Sequence, residues 1–172
     1  MARILWIATG LAWAFRSVLA AFDPQYYDPV TNLDHLAVWS FSVALLLTAP
    51  TVVLLALLVR SPVAVVVAAV SATGALLAAA ANFAEDGFGV SAAGTGYIVG
   101  VLVMWLGLVV LTIVAAVARR GRLAVAFGLC VVGLALFNVA GGGILVLAVL
   151  VALATRRSWF SGDRPSPKLS TI

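Results

Sequence analysis

Three reactive residue types are almost missing from this chain. Lys168, Cys130 and His35 are each the sole residue of their kind in 172. A single cysteine excludes an intrachain disulfide and a thiolate metal cluster, and Cys130 sits in an apolar run where it reads as a small packing residue. A single histidine excludes haem held by a histidine pair. The only lysine lies near the end of the chain, which excludes a retinal Schiff base within the body of the protein. Neither a Gly-x-Ser-x-Gly elbow nor a Gly-x-x-x-x-Gly-Lys phosphate loop occurs. Nothing in the sequence calls for a cofactor, and no catalytic residue is assigned.

Charge is scarce as well. Ten basic and six acidic residues make up 9% of the chain, against 65% apolar residues. The segments 37–59, 61–84, 87–118 and 123–155 carry no charge at all. A run of 18 or more such residues spans a ~30 Å hydrocarbon core as a helix. A soluble domain of this size would present a largely apolar surface and aggregate, so the expected solvent is lipid. The sequence therefore predicts an all-α fold, a polytopic membrane bundle forming one domain over 1–160, followed by a disordered tail over 161–172. The net charge of +4 does not point to nucleic acid, because the bases sit at segment ends instead of forming one stripe. Nine of the ten bases are Arg, and with abundant Ala, Val and Gly this composition fits a GC-rich bacterial source.

The linkers alternate in sign. Asp23, Asp28 and Asp34 follow the first segment, Arg60 the second, Glu85 and Asp86 the third, and Arg119, Arg120 and Arg122 the fourth. Basic loops stay cytoplasmic, which places the Arg3 end inside and the acidic linkers outside. The opening segment has features of a secretory signal, but Arg16 interrupts its apolar core, so it is read as a retained first helix.

The run 123–155 decides the helix count. As one helix it would measure roughly 50 Å, too long for a single crossing. Bases flank it on both sides, and Asn138-Val139-Ala140-Gly141-Gly142-Gly143 near its middle favours a turn. Six helices in three hairpins are expected: 4–22 with 36–59, 62–84 with 92–118, and 122–138 with 143–157. The alternative is five, with one long C-terminal helix. Gly74, Gly96, Gly100, Gly107 and Gly128 are candidate packing positions, where backbones approach closely. Gly74…Asn82…Gly87 and Gly133…Asn138…Gly141 resemble each other as internal repeats.

The candidate polar site comprises Arg16, Asp23, Asn82, Glu85, Asp86 and Asn138. Arg16 lies roughly 10 Å below the outer surface. It either reaches the interface, pairs with Glu85, Asp86 or Asp23, or takes part in passage of a solute. Asn82 and Asn138 cap helix ends or bond across helices. Asp34 and His35 are the weak candidates for a metal, set in an acidic rim. The leading functional expectation is a small multi-pass inner-membrane protein, a binding or accessory subunit whose partners are the lipid bilayer and other membrane subunits or further copies of itself. A small-solute or ion transporter is the alternative. A membrane-embedded enzyme using the outer rim is third.

Overall fold

A computed structural model describes residues 1–22, 31–136 and 141–155. Six helices account for them: α1 (Ala2–Phe22), α2 (Asn32–Leu57), α3 (Pro62–Phe88), α4 (Ala93–Val117), α5 (Gly121–Ala135) and α6 (Gly142–Thr155). The fold is all-helical. Helices α1 to α4 are long and apolar enough to cross a membrane, and α5 and α6 are shorter apolar helices. The three expected hairpins are present, and no single helix spans 123–155. Asn138, the repeat idea that depends on it, and the tail beyond 156 lie outside the described residues, as does the 23–29 loop with Asp23 and Asp28.

Local chemistry explains the helix limits. Thr31 starts α2 with extended backbone, and its hydroxyl accepts from the Asp34 amide at 3.3 Å while Asp34 Oδ2 accepts from the Thr31 amide at 2.6 Å. This reciprocal cap, with Thr31 as N-cap and Asp34 as its partner, moves the start of α2 ahead of the expected 36. Pro62 stands in the first turn of α3, where its missing N–H costs nothing. Helix α3 then runs past 84 to Phe88 and stops at Gly89, whose φ of 67° is left-handed. Glu85 and Asp86 therefore ride on the last turn of α3 instead of in a linker. Two arginines, Arg60 (φ 58°) and Arg119 (φ 56°), adopt the same left-handed backbone in the α2–α3 and α4–α5 turns.

The helices form a closed ring. Each packs on its chain neighbours, and α6 returns to α1. The α3–α4 seam is built from small residues: a Cβ on Gly74 would stand 2.8 Å from the Gly100 carbonyl, and one on Gly107 would stand 2.6 Å from Ser71 Cβ. Ser71 Oγ bonds the Met104 carbonyl across this seam at 2.8 Å. Gly96 faces Ala81 at ordinary contact distance. Such close approach lets dispersion and weak polar contacts hold helices that share no hydrophobic drive within lipid. Gly128 departs from the expectation, because a Cβ there would meet only Thr112 at 3.6 Å.

The α1–α6 seam uses the same device. A Cβ on Gly10 would stand 2.8 Å from Leu147 Cα, and one on Gly143 would strike the Trp13 carbonyl. On the α5 side, a Cβ on Gly142 would overlap the Leu136 carbonyl, and Gly133 abuts the Gly142 carbonyl. The N-terminus of α6 is thus wedged between α1 and α5. Its Gly143 amide donates to Ser17 Oγ at 2.9 Å, so one of the first-turn donors is satisfied by protein.

Helix order sorts the charges. The α2 start and α3 end bring Asp34, Glu85 and Asp86 to one end of the ring, while Arg3, Arg60, Arg119, Arg120 and Arg122 fall at the other.

Candidate functional site

Polar residues inside the ring gather along α1 and α2. The α1 face bearing Trp6, Thr9, Trp13, Arg16 and Ser17 is buried. Near the acidic end, Arg16 is 2% exposed and its guanidinium lies 5.7 Å from the centre of the Phe41 ring. Phe41 also meets Trp13 edge-on at 5.7 Å and Tyr97 of α4 at 5.9 Å. A cation over an aromatic face in a desolvated site gains on the order of 2 kcal/mol, which offsets part of the burial cost.

Below Arg16 a line of hydroxyls descends. Trp13 Nε1 donates to Thr48 Oγ1 at 2.9 Å, and Thr48 Oγ1 in turn donates to the Ala44 carbonyl at 2.8 Å. One turn further, Thr9 and Thr51 share a hydrogen bond of 2.8 Å. Thr9 Oγ1 also lies 2.8 Å from the Leu5 carbonyl and 3.2 Å from that of Leu47. The Leu47 contact adjoins the turn where Pro50 lacks the N–H that would reach Leu46. A neighbouring hydroxyl at a proline-weakened turn is the usual remedy in membrane helices. Beside this line, a space of about 30 Å³ is bounded by Thr9, Trp13, Thr48, Thr51, Leu108, Phe127, Cys130 and Leu150, among others. It has room for one or two waters.

Among the described residues, Asn82, Glu85 and Asp86 face different neighbours. Asn82 is buried on α3 and its amide nitrogen donates across to α2, to Ser42 Oγ at 3.0 Å and the Val38 carbonyl at 3.4 Å. It bonds between helices and does not cap one. Glu85 turns toward α4, with a carboxylate oxygen 2.6 Å from where a Cβ on Gly94 would stand. That position is next to the first turn of α4, whose positive end suits an anion. Asp86 turns the other way, into a surface pocket of about 410 Å³ with Asn32, His35, Leu36, Trp39 and Gly87. No contact among the described residues brings Glu85 or Asp86 to Arg16, so the expected pair across the 84–89 segment is not formed there. Asp34 is used by the α2 cap, and no group of three His, Cys, Asp or Glu side chains fit to hold a metal occurs among the described residues.

The hydroxyl line was missed in the sequence, though a signal existed. Thr48 and Thr51 lie three apart, and Thr9, Trp13 and Ser17 four apart, so each set shares one helix face. Compared with known protein families, curated proteins and solved structures, the chain matches none.

Proposed function

We propose that this protein is a multi-pass protein of a bacterial inner membrane, with both termini cytoplasmic, that acts by binding as an accessory subunit of a membrane assembly. The segregation of Arg to one end of the ring and carboxylates to the other supports the orientation. One observation carries the choice of binding over passage: a pocket of about 410 Å³ opens on the surface, whereas the spaces between helices beside Thr9 and beside Leu123 measure about 30 and 10 Å³. The first of these two spaces has room for water and the second for less, and larger solutes fit neither.

A transporter is the second reading, favoured by Arg16, because an ionisable side chain buried among membrane helices often marks a solute path. An enzyme built on the outer rim has less support, with Asp34 occupied by its cap. Reconstitution separates the first two. The full chain in liposomes is expected to pass potassium, chloride and small amines no faster than empty vesicles. Mild extraction from native membranes is expected to yield a particle larger than one chain in its micelle. Flux above background that disappears in Arg16→Gln would overturn the subunit reading in favour of transport.

A further inference from the structure

The surface pocket between α2 and α3 has a composition of its own. Asp86 contributes a carboxylate, His35 an imidazole, Asn32 a side-chain amide and Trp39 an indole. The surrounding end of the ring is acidic, with Asp34, Glu85 and Asp86, and among the described residues its nearest base is the buried Arg16. The pocket therefore favours a cation. It also continues into an apolar track: Leu36, Trp39, Val43 and Leu46 are all exposed and follow one face of α2 toward the middle of the bundle. Trp39 is braced by Phe83 of α3, with ring centres 6.4 Å apart.

We propose that this pocket binds the primary ammonium headgroup of a membrane phospholipid, with Asp86 as the counter-ion and the acyl chains lying along the α2 track. Donor and acceptor inventory selects a primary ammonium. It carries three N–H donors, and the pocket is lined by Asp86, Asn32 and His35, whose side chains carry acceptor atoms. A quaternary ammonium has no donors and is normally held in a cage of several aromatic rings, whereas among the described residues Trp39 and the smaller His35 ring are the aromatic walls here. An anionic headgroup without an amine would face Asp86 directly. The apolar track selects a lipid over a free amine, because a soluble ligand gains nothing from it. The site does not depend on the accessory-subunit reading and would serve equally in a transporter.

Native mass spectrometry of the full chain, taken from micelles doped with equal amounts of phosphatidylethanolamine, phosphatidylcholine and phosphatidylglycerol, tests this. The wild-type chain is expected to retain the ethanolamine lipid at least about fivefold over either competitor, a preference on the order of 1 kcal/mol. Asp86→Asn is expected to reduce that preference to near unity. Glu85→Gln, whose carboxylate faces Gly94 and not the pocket, is expected to leave it intact. Wild-type chain with no preference for the ethanolamine lipid overturns the proposal without recourse to any variant. Equal loss in Asp86→Asn and Glu85→Gln overturns the assignment to this pocket. Free ethanolamine that displaces the lipid at millimolar concentration overturns the lipid in favour of a soluble amine.

Discussion

Single residues in this bundle act mainly through what they exclude or what they bond across a seam. Thr48 accepts the Trp13 indole N–H in the interior. Thr48→Val keeps the shape and removes that acceptor, and is expected to cost about 1 kcal/mol, with Thr48→Ser costing less than half as much. Thermal unfolding in one fixed detergent compares the two, and equal losses would mean that the hydroxyl contributes nothing. Glycines separate by their neighbours. Gly143→Val drives a side chain into the Trp13 carbonyl, and Gly142→Val into that of Leu136, so both are expected to abolish stable expression. Gly107→Ala is also disruptive, because its Cβ would sit 2.6 Å from Ser71 Cβ and disturb the Ser71–Met104 bond. Gly128→Ala is the mild one: the contact is ordinary and the helix gains about 0.5–1 kcal/mol in propensity. Size-exclusion profiles of the four variants check this order.

Elements were legible in proportion to how much of their definition is local. Charge-free length located α2 to α4, and the glycine triplet divided 123–155, because both are read directly against bilayer thickness. The ends were less legible. A Thr-x-x-Asp cap began α2 early, and Gly89 let α3 carry Glu85 and Asp86 past the expected boundary. Helix α5 stops at Ala135, and with 15 and 14 residues α5 and α6 are each roughly 21–22 Å long. The partners of Glu85, Asp86 and Asn82 could not be read from sequence, since they depend on which neighbour each face of α3 meets. The turns make a separate prediction. Arg60 and Arg119 hold left-handed backbone that costs a side-chain-bearing residue about 1–2 kcal/mol. Arg60→Gly is therefore expected to raise the melting temperature, while Arg60→Ala leaves it unchanged. A fall in Arg60→Gly would mean that the guanidinium itself stabilises the turn.

At the scale of the whole molecule, orientation and closure of the ring are linked. Under the proposed orientation an even number of crossings would bring both termini to the basic side, so reporter fusions after Arg122 and after Lys168 are expected to give the same cytoplasmic signal. Opposite signals would contradict the even count and favour α5 and α6 crossing as one unit. Closure depends on the α1–α6 seam, because α1 places Arg16 and the hydroxyl line in the interior only if α6 covers its other side. Sequence separation hides this contact, which joins the two ends of the described chain.

Cysteine cross-linking across that seam tests the closed ring most directly. A Cβ on Gly10 would stand 3.4 Å from Leu147 Cβ and 2.8 Å from Leu147 Cα, so a small opening of the seam brings the pair into the range a disulfide requires. With Cys130 replaced by serine, Gly10→Cys combined with Leu147→Cys is oxidised in native membranes. The closed ring predicts a cross-link within one chain, seen as a reducible change in proteolytic fragments with no shift to dimer. Absence of the cross-link while the protein remains folded, or cross-linking solely between chains, would contradict the ring.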